Sequence, residues 1–322
     1  MRLATFNLES FGTDKADDPA LDARLAVLRP QIERLDADIL CLQEINAQKI
    51  PGGGGRRPIA LDRLLADLPV ELYHRAWSGD LSPAPDIHTL AILSRYPIRD
   101  ARLLRHDLIA PPLWQRSTAD PPDEVPVPIE WDRPILTAEI DMPGGKPLHV
   151  FNVHLRAPLA APIPGGKEAA TVWKRCDAWA EGYAIAAMKR IGQAAELRRA
   201  IDALFDADPE TRLAAVGDFN ADAFESALRI AIAESDDTGN GALANRTLVP
   251  VERMLAADRR HTVLHLGRPL MLDHVLVSRS LLAHLDRVEV HNETLLDEAI
   301  APLRANGPTA SYHAPLMAIF RD

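Results

Sequence analysis

Short apolar runs recur along the chain, and each ends in a side chain that can bind a divalent metal ion or a phosphate group. Runs of this length with polar ends are typical of buried β-strands, which gather distant residues into one pocket of an α/β scaffold. The runs are residues 3–6 before Asn7, 39–42 before Gln43 and Glu44, 149–153 before His154, 213–216 before Asp218 and Asn220, 271–272 before Asp273, and 310–311 before Tyr312 and His313.

Segments with helical periodicity lie between the apolar runs. Residues 22–35 and 59–68 predict amphipathic helices, and residues 177–205 predict the longest helix of the chain. Residues 105–134 and 157–166 are dense in proline or glycine and are expected to be irregular. The alternation of strands and helices predicts an α/β fold.

The spread of the polar strand ends predicts a single domain. The 322 residues, 47% hydrophobic and 25% charged, have globular composition and suffice for one large domain or two ordinary ones. The candidate residues extend from Asn7 to His313, so any division between them would split the site. We therefore expect one domain over residues 1–322.

The charge balance lowers the expectation of a general nucleic-acid binder. With 36 basic and 46 acidic residues, the formal net charge of −10 opposes non-specific attraction to DNA, RNA or an anionic membrane. Residues 156–199 are more basic than the rest and begin beside His154. Arg156 and Lys167 are thus candidates for contacting an anionic substrate, although this basic segment equally fits a solvated helix face.

The two cysteines, Cys41 and Cys176, are expected to be ordinary reduced thiols. The first residues show no apolar signal region, and no segment supplies the ~20 apolar residues of a membrane span. The sequence predicts a cytoplasmic protein without an integral membrane segment, and it leaves the oligomeric state open.

The segment Gly217-Asp218-Phe219-Asn220 carries the strongest local signal. Its carboxylate and carboxamide are two residues apart, hence on the same side of an extended chain, and Gly217 allows a ligand to approach closely. This pair suits the attack of water on a phosphodiester. Taken alone, the segment equally fits a turn that caps the next helix.

Other residues indicate a metal site or a catalytic base only when they are considered together. Glu44 offers the hard oxygen ligand that Mg²⁺ or Mn²⁺ prefers, and Asn7 could add a neutral oxygen, although Glu44 alone would fit a surface glutamate. His154 and His313, taken singly, fit structural histidines. A buried Asp273 bound to one of these imidazoles would fix its tautomer and make it a stronger base.

Seven short motifs resemble, in order, those of the endonuclease/exonuclease/phosphatase (DNase I-like) superfamily. The resemblance covers residues 3–320 and implies a four-layer α/β/β/α sandwich, in which two packed mixed β-sheets are flanked by helices. The site would lie at one end of the sheets. The motifs are residues 5–7, 42–44, 91–97, 152–154, 217–220, 272–278 and 311–315.

The resemblance implies hydrolysis of a phosphate ester, with a phosphodiesterase or nuclease-like activity favoured. Glu44 would bind the catalytic Mg²⁺ or Mn²⁺ ion with Asn7 beside it, and Asp218 would orient or activate water. The remaining implied roles are phosphate binding by Asn220 and His154, and a general base or a stabilising imidazolium at His313, paired with Asp273. Nucleic acid, if short or single-stranded, a lipid or inositol phosphate, and a small ester all remain open as substrates.

One departure from the resemblance concerns Tyr312. The family usually has aspartate there, close to the metal, whereas a neutral tyrosine is a poor ligand for a hard cation. We therefore expect one principal ion at Glu44, with the Tyr312 hydroxyl free to contact substrate. The departure also supports an alternative, a catalytically weak member that binds a phosphorylated ligand or partner without turnover.

Overall fold

The secondary structure alternates along the chain in the computed structural model, which describes residues 1–13, 19–50, 55–82, 88–300 and 310–321. The strands are β1 (Arg2–Phe11), β2 (Ile39–Ile45), β3 (Gln48–Lys49), β4 (Arg56–Arg57), β5 (His74–Trp77), β6 (Thr89–Ser94), β7 (Ile98–Leu104), β8 (Leu113–Trp114), β9 (Val127–Pro128), β10 (Ile135–Ile140), β11 (Leu148–His154), β12 (Lys167–Ala169), β13 (Val172–Trp173), β14 (Arg212–Asp218), β15 (Val249–Pro250), β16 (Val263–His265), β17 (Arg268–Leu270), β18 (Asp273–Val277), β19 (Leu285–Val290) and β20 (Leu316–Phe320). The helices are α1 (Pro19–Leu35), α2 (Ile59–Leu65), α3 (Ser78–Leu81), α4 (Cys176–Ala207), α5 (Ser226–Ile232), α6 (Ser235–Thr238) and α7 (Arg279–Leu282), with 3₁₀ turns at Pro69–Leu72, Gly241–Arg246 and Val251–Met254.

Two six-stranded mixed sheets form the centre of the fold. The first has the order β19-β20-β1-β2-β6-β5, and the second has the order β15-β18-β14-β11-β10-β7. In the first sheet β1 and β2 are parallel, in the second β11 and β14 are parallel, and the other neighbours are antiparallel.

The two sheets pack face to face, and helices cover their outer faces. Leu3 of β1 and Val216 of β14 belong to one apolar core between the sheets. Phe6 of β1 packs with α1 and α2 on the outer side of the first sheet. Phe151 of β11 packs with α4 and α5 on the outer side of the second. Because alternate side chains of a strand face opposite sides, this burial produces the four-layer α/β/β/α sandwich and confirms the predicted fold class.

The predicted helices are confirmed with changed bounds. Residues 22–35 lie in α1, and residues 177–205 lie in α4. The helix predicted over residues 59–68 is shorter, because α2 ends at Leu65 and a 3₁₀ turn follows.

Two predicted strands are wrong. Residues 271–272 and 310–311 precede strands instead of forming them, since β18 begins at Asp273 and β20 at Leu316. β18 runs antiparallel to β14, and β20 runs antiparallel to β1. An antiparallel strand begins at the edge where its neighbour ends, so these segments still reach the predicted edge.

Both cysteines are free thiols, with Cys41 buried in β2 and Cys176 exposed at the start of α4. Among the described residues, no helix combines the length and the apolar character that a membrane crossing requires.

Candidate active site

Strand register brings the polar residues to one edge of the two sheets. In the first sheet Asn7 lies opposite Gln43, the neighbour of Glu44. In the second sheet Asp218 lies opposite His154 on one side and opposite Asp273 on the other. The structure therefore brings together residues that are more than 200 positions apart in the sequence.

The Asn7 side chain connects the two sheets. Its Nδ2 donates to Glu44 Oε1 at 3.3 Å and to Asp218 Oδ2 at 3.0 Å. Its Oδ1 accepts the backbone N–H of Glu9 at 2.9 Å. In this orientation the amide nitrogen faces the carboxylates, so Asn7 would have to turn its carboxamide to offer a metal the oxygen expected from the sequence.

Glu44 is held by the chain segment that follows Asn7. Its Oε2 accepts the Ser10 backbone N–H at 2.7 Å and the Ser10 hydroxyl at 3.2 Å. Burial raises the pKa of Glu44, but His88 and the Ser10 N–H, together with His313, more than offset this, and the net pKa lies below that of an ordinary glutamate. Glu44 is therefore a carboxylate at neutral pH.

Asp218 lies at the centre of the site. Its Oδ1 accepts the Asn220 backbone N–H at 2.8 Å, and its Oδ2 accepts the Asn220 side-chain amide at 3.0 Å. Burial, with the nearby charges of Asp273 and Glu44, raises its pKa to about 7 despite the opposing charge of His313. A carboxyl group with this pKa can accept a proton near neutral pH.

The structure gives a reason for glycine at position 217 that differs from the one expected from the sequence. The φ of Gly217, +133°, is in the region that favours glycine, and a Cβ there would lie 2.0 Å from the carbonyl oxygen of Val153 on β11. The absence of a side chain thus permits the contact of β14 with β11, and the expectation that it admits a ligand stays a prediction.

His313 and Asp273 form a buried pair, with 2.7 Å between His313 Nδ1 and Asp273 Oδ2. Burial lowers the pKa of His313, but the charge and hydrogen bond of Asp273 outweigh it and hold that pKa well above the ordinary histidine value. The Ser311 hydroxyl donates to the carbonyl oxygen of Asn7 at 2.6 Å and accepts the His313 N–H at 3.0 Å. His313 is therefore an imidazolium fixed against β1.

His154 has the opposite character. Its Nε2 lies 3.4 Å from Asp218 Oδ2 and 3.6 Å from Glu44 Oε1. Burial, together with the positive charge of Arg133, lowers its pKa well below the ordinary value. His154 is thus a neutral imidazole that can donate one hydrogen bond without adding charge.

The three residues expected to contact substrate are Tyr312, Arg156 and Lys167, and their surroundings in the protein differ from one another. Tyr312 is 6% exposed, and its hydroxyl has no hydrogen-bond partner within the described part of the chain. Arg156 pairs with Asp132 at 3.1 Å. Lys167 donates to the Ala170 carbonyl at 2.9 Å and lies 4.6 Å from the centre of the Trp173 ring.

The basic segment is partly neutralised by its neighbours. Besides Arg156, Lys189 pairs with Asp132, Arg190 with Glu225 and Arg198 with Asp202. These pairs leave less unbalanced positive charge than the sequence suggests, and the role expected for Arg156 and Lys167 stays a prediction.

Arg133 and His88 are site residues that the sequence did not reveal. Arg133 donates to the carbonyl oxygen of Leu155 at 3.4 Å, and the same oxygen accepts the Asn220 amide at 3.1 Å. Its charge interacts with Glu44 and Asp218. Arg133 lies in the irregular stretch of residues 105–134, where no periodicity marks it.

The donor set fits a divalent cation. Two groups of side chains, Glu44 with His154 and Asp218, and Asp218 with Asp273 and His313, each place ligand atoms within 4.8 Å of one another. Within the described residues, the buried Asp273 Oδ1 has no hydrogen-bond partner. Like charges gathered in this way, which add to the effect of burial in raising the pKa of Asp218, are what a bound cation relieves.

Asp218→Asn is expected to stabilise the metal-free protein more at about pH 8 than at about pH 5. Because the folded-state pKa of about 7 lies above the usual 3.8, the folded state holds an extra proton between these values and stability falls as pH rises through that window. Urea unfolding of both proteins with a chelator present measures the effect. A stability difference independent of pH would contradict it.

Comparisons with known proteins agree with this geometry. The model of the Endonuclease/Exonuclease/phosphatase family matches residues 4–313. A comparison with curated proteins gives no match. Similar solved structures include the mannosyl-6-phosphatase of Bacteroides thetaiotaomicron, which is 16% identical with a TM-score of 0.59 over 100% of both chains.

Two further structures extend this likeness. Truncated Caenorhabditis elegans TDP2 is 13% identical with a TM-score of 0.55, over 100% of this chain and 98% of that chain. The 3'-5' exonuclease NExo of Neisseria meningitidis is 17% identical with a TM-score of 0.52 over 100% of both chains. At these identities the structures show a common fold, and the family match shows that the chain belongs to the Endonuclease/Exonuclease/phosphatase family, a superfamily of phosphoesterases and nucleases.

Proposed function

We propose that the protein is a divalent-metal-dependent phosphoric ester hydrolase that cleaves a P–O bond by attack of water, with phosphodiesters as the favoured substrates. The observation that carries this proposal is the position of Asp218, whose carboxylate belongs both to the cluster with Glu44 and His154 and to the cluster with Asp273 and His313. A proton acceptor, a cation site and an imidazolium therefore surround one point.

Glu44 is the proposed principal ligand of the ion, with Asn7 beside it. A bound Mg²⁺ or Mn²⁺ would neutralise charge on the phosphate and stabilise the leaving oxygen. Tyr312 adds no negative charge at neutral pH, and burial raises the pKa of its hydroxyl further. This supports one principal ion in preference to two.

Asp218 is the proposed acceptor of the proton from the attacking water. The water oxygen forms the new bond to phosphorus while the bond from phosphorus to the leaving oxygen breaks, and the leaving oxygen takes a proton from solvent. The Asn220 hydrogen bonds hold the Asp218 carboxylate in place for this step. Its pKa near neutrality supports this role, since a base works best when its pKa is close to the working pH.

The two histidines are proposed to stabilise the transition state in different ways. His154, neutral, would donate to the phosphate oxygens as negative charge builds. Asn220 would do so by giving up one of the two hydrogen bonds of its side-chain amide, which go to Leu155 and to Asp218. For His313 the sequence left two roles open, that of a general base and that of a stabilising imidazolium. Its raised pKa supports the imidazolium, which places positive charge opposite the developing negative charge.

The charge distribution supports a small or short substrate. The net charge of −10 and the paired cations of the basic segment disfavour long duplex DNA. The similar structures carry names from sugar phosphatase to exonuclease, so they do not select among substrates. A short or single-stranded nucleic acid, a lipid or inositol phosphate and a small ester remain the classes to compare.

Hydrolysis of bis(p-nitrophenyl) phosphate and p-nitrophenyl phosphate tests the proposal. We expect turnover with Mn²⁺ or Mg²⁺, loss of turnover with a chelator, recovery when the metal is restored, and faster hydrolysis of the diester. Repeating the assay with a short single-stranded oligonucleotide at rising salt separates the substrate classes, because affinity for a substrate with many phosphates falls steeply with salt.

A folded, metal-loaded protein that hydrolyses none of these esters would instead favour the alternative, a family member that binds a phosphorylated ligand or partner without turnover. The observation that supports this alternative is Tyr312, which stands where the family usually has aspartate. Against it, the proposed catalytic residues are all present: Glu44, His154, Asp218, Asn220, Asp273 and His313.

A further inference from the structure

A cavity of about 340 Å³ opens at the end of the sandwich that is opposite the candidate active site. In the second sheet Leu148 and Arg212 lie side by side where β11 and β14 begin, whereas His154 and Asp218 lie side by side where these strands end. The strands advance by six residues from one end to the other, which corresponds to about 20 Å of extended chain. The cavity is therefore separate from the site proposed for hydrolysis.

The walls of the cavity are largely apolar. Leu148, Leu281 and Phe320 are buried, Tyr96 and Met142 are partly buried, and all five belong to the core between the two sheets. The volume is at the lower end of the range of small-molecule pockets, which is about 300–1,000 Å³. The cavity is thus an opening into the core with room for a small apolar group.

The charged side chains of the cavity are all basic, and among the described residues no carboxylate lines it. Three cations and one imidazole do so: Lys146, Arg212, Arg321 and His284. Lys146 pairs with Asp208 at 3.2 Å, and Arg321 Nε donates to Asp286 at 2.7 Å. These two cations are therefore balanced at least in part by carboxylates outside the cavity.

Arg212 differs from the other two cations. Its Nη2 donates to His284 Nε2 at 3.0 Å, and an imidazole carries no negative charge. In the part of the chain that the structure describes, Arg212 forms no ion pair with a carboxylate, although it is partly buried. A guanidinium has five N–H donors in a planar fork that matches the oxygens of a carboxylate or a phosphate group. An anion in the cavity would supply the countercharge that Arg212 lacks.

We propose that this cavity binds a small amphipathic anion. Its carboxylate or phosphate-type head pairs with Arg212, and its apolar body lies against Leu281 and Phe320. Both parts of the ligand are needed, because a neutral apolar molecule leaves the charge of Arg212 unpaired and an inorganic anion leaves the apolar walls in contact with water. The inference goes beyond the proposed function and does not depend on it.

Titration calorimetry with octanoate, octylphosphonate and octanol tests the inference. The wild-type protein is expected to bind at least one of the anions, and to bind octanol about tenfold or more weakly, because octanol brings no charge to Arg212. Comparison of the two anions identifies the preferred head group, and the P–C bond of the phosphonate resists hydrolysis. Glu44→Gln should bind the anions as the wild type does, since Glu44 lies at the opposite end of the sheets.

Variants of the cavity give a second test. Arg212→Gln keeps an N–H donor but removes the charge, so anion affinity should fall about tenfold or more while octanol binding stays unchanged. Arg321→Gln is the matched control and should change anion affinity little, because Arg321 already pairs with Asp286. Met142→Trp should fill the cavity and abolish binding, which keeps the test decisive if Arg212→Gln does not fold by circular dichroism.

Three results would overturn the inference. The first is failure of the wild type to bind either anion, and the second is octanol binding as tight as that of the anions. The third is anion binding that persists unchanged in folded Arg212→Gln or Met142→Trp. Loss of anion binding in Glu44→Gln would also overturn it, because the anion would then occupy the candidate active site.

Discussion

Replacing His313 with alanine is expected to lower kcat for phosphate-ester hydrolysis by about 10²–10⁴-fold. The reason is that the buried Asp273 carboxylate, 2.7 Å from His313 Nδ1, holds this ring as an imidazolium inside the site. Asp273→Asn should also lower kcat, and it should move the alkaline limb of the pH profile to lower pH. The imidazolium is lost as pH rises through the pKa of His313, and removing the carboxylate brings that pKa down.

Steady-state rates of four proteins check this expectation: the two single variants, the double variant, and His265→Ala as a control on an exposed hairpin. The double variant should be no slower than His313→Ala, since the two residues act as one unit. Losses that multiply in the double variant, or an unchanged pH profile in Asp273→Asn, would contradict the imidazolium role.

The second large effect is expected at the cation ligand. Glu44→Gln should keep the shape and the Ser10 contacts of the side chain but remove its charge, so Mn²⁺ affinity should fall by about 100-fold or more, and hydrolysis with it. Titration calorimetry should also find about one ion for each wild-type chain, because Tyr312 supplies no second carboxylate.

Glu139→Gln is the matched control, since Glu139 is held by Arg99 at 2.8 Å. Its metal affinity should equal that of the wild type. Unchanged affinity in Glu44→Gln would remove Glu44 as the ligand. Two fully occupied Mn²⁺ ions about 4 Å apart in a soaked crystal would contradict the single-ion proposal.

The sequence predicted which side chains meet at one edge of the sheets where local pattern determines position. Asn7, Glu44, His154 and Asp218 follow apolar runs in parallel strands, and the ends of parallel strands meet at one edge. Asp273 was expected at the same edge, and it lies there, but it begins a strand instead of following one. A run of two apolar residues does not reveal whether a strand ends or begins there.

The other features of the site could not be predicted, because they depend on contacts between segments that are distant in the sequence. Arg133 comes from an irregular stretch, and His88 is placed by contacts with Ser10 and Asn46, none of which leave a periodic signal. Gly217 is required by the neighbouring strand β11, and strand order is not visible in a linear pattern. The unbalanced positive charge of the basic segment was overestimated for the same reason. Its acidic partners, such as Asp132 and Glu225, come from other parts of the chain.

The pairing of β1 with β20 has a consequence for biosynthesis. β1 is made first, yet one of its two neighbours in the sheet is β20, the last of the described strands, and the N-terminal amino group of Met1 donates to the carbonyl oxygen of Phe320 at 2.8 Å. A nascent chain on the ribosome therefore has β1 open along one edge and lacks His313 until residues 310–320 are translated. We expect the proposed activity to be absent from the nascent chain until that segment has been made.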